Sequence, residues 1–288
     1  MAFTIICESS TDLPKHIVDS YNIKLLPMKY MIGEDTYLND PEHIDLPVDE
    51  FYQMLKSGSV ATTSQLTQFD YQALIEEEFK KGKDVLILGF SSGLSGSING
   101  ARLAIEELKD QKQKALLIDT LGASLGQGFM VYLAAKKQQE GATLEETYQY
   151  VESIKHHVAH WFTVDDLMFL KRGGRVSGVS AVIGTMLSIK PILHVDDEGK
   201  LIPRLKVMGR KKALQTLVDK LKETIDVSLS KEVFISHGCD LEAANGVKDR
   251  IEGLGLDLNV TLINEIGPVI GAHSGPGTVA VFFTAHKR

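Results

Sequence analysis

The sequence is poor in several features that would narrow its class. Its 288 residues include two cysteines, Cys7 and Cys239, far apart and outside any C-x-x-C pair. That scarcity excludes a disulfide framework and a zinc knuckle, and it fits a reducing cytoplasm. No run approaches the roughly 18 apolar residues that a membrane span needs. The opening MAFTIICESSTD lacks a basic n-region and reads as no export signal. Basic residues are short as well: 31 Lys and Arg against 38 Asp and Glu leave a formal charge of -7, the wrong sign for a nucleic-acid footprint. No G-x-x-x-x-G-K-[ST] occurs, and the single G-x-x-G, Gly93 to Gly96, lacks the rest of a dinucleotide fingerprint. No cofactor or metal is therefore expected.

What is present is ordinary for a globular chain, with 43% hydrophobic and 24% charged residues and a length that suggests two domains. In the first half, strands and helices alternate. FTIIC reads as a strand, and STDLPKHIVDSY as a turn and helix with Thr11 or Asp12 as N-cap and Pro14 in the first turn. IKLLPMKYMI reads as one further strand. VDEFYQMLKSG and TQFDYQALIEEEFKKG read as helices closed by Gly58 and Gly82. DVLILGF and KALLIDT read as buried strands, and LGQGFMVYLAAKKQQEG as a helix. This alternation predicts an α/β domain with a parallel sheet covered on both faces. In the second half, KPILHVDDEGKLIPRLKV reads as a hairpin turning at DDEG. Two helices and three strands then complete a mixed α/β unit. The expected domains are 1–155 and 156–288, with a ligand cleft between them.

Three polar loops could meet in such a cleft: ATTSQLT (61–67), GFSSGLSGS (89–97) and GPVIGAHSGPGT (267–278). All three offer hydroxyls, the second and third glycines as well, and none carries a lysine or arginine. Such neutral donors beside helix starts suit one small anion, a carboxylate above all. The same vocabulary also serves simple capping. The middle loop admits a second function, because Gly89, Ser91 and Gly93 match the G-x-S-x-G nucleophile elbow of serine hydrolases; His237 and His273 lie downstream, but no aspartate is marked as their partner. KHHVAHW gives His156 and His160 an i, i+4 spacing, read as a solvated helix end in preference to a metal site. MFLKRGGRVSG places Lys171, Arg172 and Arg175 around Gly173 and Gly174. It reads either as a helix C-terminus ended by Gly173 or as a docking surface for an acidic partner.

Four motifs in this order, TSQ (Thr63 to Gln65), SSGLSGS (Ser91 to Ser97), LKRGGRVSG (Leu170 to Gly178) and GAHSGPGT (Gly271 to Thr278), resemble the DegV family of bacterial fatty-acid-binding proteins, which includes the FakB subunits of fatty acid kinase. The sequence departs from the usual pattern at Glu8 for aspartate, Leu66 for proline and Ser97 for threonine. The resemblance implies a two-domain α/β fold with a long-chain fatty acid such as palmitate in an interdomain cleft. It assigns the carboxylate to Thr63, Ser95 and His273, with Thr62, Ser92, Gly96 and Ser97 as secondary candidates. It further implies a non-enzymatic carrier that presents the acid to a separate ATP-dependent kinase, with Arg172 and Arg175 as docking residues. The apolar stretch 179–193 is the candidate tunnel wall.

Overall fold

The computed structural model describes residues 3–176 and 188–288. The chain opens with β1 (Phe3–Glu8), α1 (Lys15–Ser20), β2 (Lys24–Leu26), β3 (Met28–Ile32) and β4 (Asp35–Asn39). It continues through α2 (Val48–Lys56), β5 (Ala61–Thr63), α3 (Gln68–Lys80), β6 (Asp84–Gly89), α4 (Ser97–Glu107) and β7 (Ala115–Asp119), followed by α5 (Leu125–Gln139) and α6 (Leu144–Ile154). After these come β8 (Val158–Thr163), α7 (Leu167–Gly173), β9 (Ile189–Val195), β10 (Leu201–Met208) and α8 (Arg210–Thr224). The chain closes with β11 (Glu232–His237), α9 (Leu241–Glu252), β12 (Asn259–Glu265), α10 (Pro268–Ser274) and β13 (Val279–Thr284).

Strands β2-β1-β6-β7 form a sheet that is parallel throughout. Its central residues Ile5, Ile6, Leu86 and Ile87 are fully buried on alternate faces, as a sheet covered on both sides requires. The six strands from β8 onward form a mixed sheet in the order β10-β9-β8-β13-β11-β12. One face carries Val158, Phe162, Leu193, Phe234, Ala280 and Phe282 against α5; the other carries Trp161, Ile192, Ile235 and Phe283 against α8 and α9. Sheet membership thus changes between β7 and β8. The hydrophobic cluster around α5 nevertheless runs through both sheets, joining Leu86 and Phe129 to Phe162 and Phe282.

Several elements differ from the sequence reading. IKLLPMKYMI is two strands in two sheets, because Pro27 has no N–H to donate and breaks the run; β3 then leads a small antiparallel sheet β4-β3-β5. Asp12 and Thr11 do not cap α1, whose N-cap is Pro14. Asp12 is held in left-handed backbone (φ 53°) and accepts the Ser124 hydroxyl at 2.5 Å and the Gly267 N–H at 3.0 Å; burial pushes its carboxyl up to about 8. His156 and His160 share no helix face, since α6 ends at Ile154 and His160 belongs to β8. The helix α6 itself begins with a capping box of Thr143 and Glu146. PVIGAHS is helical, and the left-handed residue that ends α7 is Gly174 (φ 68°), one position past Gly173. Of the candidate tunnel stretch, residues 179–187 lie outside the described residues, while 189–193 begin β9.

Candidate functional site

In the parallel sheet the chain runs from β1 to β2 on one side and later to β6 and β7 on the other, so the order reverses between β1 and β6. Loops at the carboxyl ends of strands flanking such a reversal diverge and leave a crevice. There the loop after β1, carrying Ser10, and the loop after β6, carrying Phe90, Leu94 and Ser95, face the inner surface of the mixed sheet across a cavity of about 280 Å³. α10 contributes Val269, Ile270 and His273 from a third side, and α7 contributes Leu170.

One end of this cavity is polar. Thr63 ends β5, which pairs with Tyr30 of β3, and its Oγ1 lies 2.9 Å from His273 Nε2. Ser95 and Ser97 stand 3.1 Å apart through their hydroxyls, and the Ser97 hydroxyl also accepts the Leu66 N–H at 3.1 Å. Ser97 thereby ties the 63–67 loop to the 91–97 loop. Gly96 allows this approach, because a Cβ there would overlap the Gln65 side chain. Gly173 does the same for α7 and α10: a Cβ would overlap Nδ1 of His273. Burial, and secondarily the Arg175 guanidinium, push His273 down to about 4, so the imidazole is neutral at neutral pH. The N-terminus of α4 adds its dipole at Gly96, which lines the cavity.

Of the residues singled out from sequence, Thr63, Ser95, Gly96 and His273 line the cavity. Ser97 is buried just behind them, while Thr62 and Ser92 are exposed and outside the lining. Arg172 is exposed, its guanidinium 5.6 Å over the Phe169 ring. Arg175 is exposed as well, but it lines the cavity and donates from Nε to Leu94 O at 3.4 Å. Sequence reasoning found no cation near the loops, because Arg175 lies on a separate element that only the fold brings there.

Ser91 overturns the hydrolase reading. It is fully buried, its Oγ donating to Gly199 O at 2.8 Å and accepting the Gly93 N–H at 3.1 Å. A nucleophile elbow needs an exposed hydroxyl beside a base. Instead, Ser91 joins the loop to the β9–β10 turn, where Gly93 packs against the carbonyl of Glu198.

Glu8 also lay outside the sequence-level candidates. Buried at the end of β1, its carboxylate accepts the Tyr71 hydroxyl at 2.5 Å, the Phe90 N–H at 3.0 Å and the Gln127 amide at 2.6 Å. Burial raises its pKa, and these three donors pull it back. Glu8 thus fixes α3, the start of the 90–97 loop and α5 to one another. Gln127 in turn accepts the hydroxyl of Ser10, a lining residue, at 3.2 Å.

The profile of the family described as "Uncharacterised protein, DegV family" matches residues 2–286. A DegV domain-containing protein of Clostridium perfringens is 40% identical over 288 residues, covering 99% of this chain and 98% of its own. Among solved structures, a DegV family protein from Thermus thermophilus described by its fatty acid binding superimposes with a TM-score of 0.88 at 29% identity, over 99% of this chain and 100% of that one. DegV from Bacillus subtilis, described as a fatty acid binding protein, gives 0.85 at 30% identity over 99% of each. With the fold, the order of the loops and the near-complete coverage in agreement, the chain belongs to the DegV family.

Proposed function

We propose that this protein binds one long-chain fatty acid of the palmitate type, with its carboxylate at Thr63, Ser95 and His273 and its chain along the inner face of the mixed sheet. On this reading residues 1–155 and 156–288 are the two domains that enclose the ligand. The observation that carries it is the Thr63–His273 pair at 2.9 Å, at the polar end of a cavity whose remaining walls are mostly apolar. A carboxylate leaving water needs several donors at once. Two hydroxyls, an imidazole, a helix N-terminus and the Arg175 guanidinium offer them together. Each buried CH₂ contributes about 0.8 kcal/mol, so a palmitate chain supplies about 12 kcal/mol before ordering costs. Fatty acid binding by related DegV proteins supports the assignment.

The carboxylate is presented to a separate ATP-dependent kinase, which supplies the chemistry, and the exposed Arg172 is the docking contact. Arg175 serves the rim of the carboxylate site in addition to any partner. The test is a titration of delipidated protein with palmitate, with native mass spectrometry of the protein as purified. Saturable binding of one acid per chain, at micromolar levels or tighter, is expected; absence of binding across common chain lengths overturns the reading. Arg172→Glu should leave palmitate binding unchanged and slow acyl phosphate formation by the cognate kinase, most at low salt. Arg175→Glu should weaken both.

A further inference from the structure

Among the described residues, the lining of the cavity along the mixed sheet ends at one rung. The lining residues Thr278, just before β13, and Ala280 and Phe282, within it, occupy alternate positions on one side. Thr278 sits at the polar end, its hydroxyl donating to Ser274 O at 2.9 Å, next to His273. Four residues of strand carry the wall roughly 13 Å inward from there. Ala280 pairs with Phe162, and Phe282 with His160. The last lining rung therefore holds Phe282 and His160. On the same face Val195, two residues past Leu193 (the partner of Phe162), lines the cavity with its own partner Leu201. The following rung, Val158 with Thr284, does not line it.

His160 is held in place on every side. Its Nδ1 donates to Val158 O at 3.0 Å, and its ring meets Phe282 edge-on at 5.4 Å between centroids. Behind it runs the start of α5, where Gly126 leaves no space: a Cβ there would overlap the His160 ring and lie 2.8 Å from the Phe282 ring. At Gly122 a Cβ would fall 3.0 Å from His160 Nε2. Among the described residues Nε2 has no hydrogen-bond partner, and the residue is 2% exposed. A buried polar ring without a second partner costs stability, and an aliphatic side chain would fill this apolar wall without that cost.

Resting on the fatty acid reading above, we propose that His160, seated on Gly126, is the residue that sets the longest acyl chain the cavity accepts. Removing the ring lengthens the cavity toward α5, whereas adding a methyl group behind it drives the ring into the cavity and shortens it.

The experiment is competition among saturated acids from laurate to behenate on the delipidated protein. In His160→Ala, acids longer than the wild-type optimum should gain roughly tenfold relative to it, the gain that two further buried methylenes supply. Gly126→Ala should shift the optimum toward shorter acids, and the double variant should move it back. An unchanged ranking in a folded His160→Ala overturns the proposal while leaving the fatty acid reading intact; failure of wild type to bind any acid overturns both. Should the variants fold poorly, wild type loaded with a fatty acid carrying a terminal diazirine decides. Crosslinks within 122–126, 158–162 or 280–284 support the stop at His160, and crosslinks confined elsewhere sink it.

Discussion

The two ends of the cavity are built on different principles. The polar end is assembled from loop and helix termini drawn from four places in the chain, near residues 63, 95, 175 and 273, held by single hydrogen bonds and glycine clearances. The inner end is a patch of one sheet face, fixed by strand register. An end made of donors discriminates by orientation and is sensitive to displacements of about 1 Å, whereas an end made of side-chain surface discriminates by volume and responds gradually. In this chain the orienting end is braced from behind by a buried polar network, and the volumetric end by Gly122 and by Gly126 at the start of α5.

The contrast predicts where damage is greatest. Glu8→Leu removes the shared acceptor of Tyr71, Phe90 and Gln127, leaving the Tyr71 hydroxyl and Phe90 N–H unpaired and Gln127 Nε2 only its bond to Leu88 O, so a stability loss of about 3–5 kcal/mol is expected in urea denaturation. A loss below about 1 kcal/mol would mean that the loops need no brace. Next in size is a pH effect at His273. Its folded pKa, about 4, lies below the ordinary 6.5; its contribution is complete above pH 6.5 and lost as pH falls toward 4, about 3 kcal/mol over that window. His273→Gln should remove this component of the stability–pH curve, and saturating palmitate should flatten it in wild type by supplying a counter-charge. A curve unmoved by either would detach His273 from the polar end.

The smallest effects separate the two ends directly. If Ser95 holds the carboxylate as proposed, Ser95→Ala removes one charge-assisted hydrogen bond and should weaken binding of short and long acids alike by about tenfold, whereas Ser91→Ala should not. Phe162→Leu, on the sheet face, should change palmitate affinity severalfold and octanoate affinity hardly at all. Equal effects of Ser95→Ala and Phe162→Leu on both acids would erase the distinction.

The same distinction decides what was legible in the sequence. The parallel strands and the DDEG hairpin announce themselves through apolar runs and turn chemistry, and both are found where expected. Thr63, Ser95 and His273 fall together because the end of β5, the loop after β6 and α10 converge on one cavity from three separate elements. Pro27 hid a change of sheet inside one apolar run. β8 carries no polar–apolar alternation because it is buried on both faces, so the spacing of His156 and His160 passed for a helix. PVIGAHS contains too much glycine and proline to look helical, and packing against α7, α2 and β3 makes it so. Arg175 was read from sequence as a docking residue and Glu8 only as a departure from the family pattern, because the contacts that place them at and behind the cavity come from elements distant in the chain.

The Ser91–Gly199 bond gives experimenters an external handle on an internal event. Glu198, next to that acceptor, has a side chain 74% exposed, while its backbone carbonyl touches the loop that bears Ser95. A solvatochromic dye placed there through Glu198→Cys, with Cys239→Ser to leave only the buried Cys7, would couple occupancy of the polar end to fluorescence at the surface. The turn would then serve as the gauge of a fatty acid sensor, read without labelling the ligand.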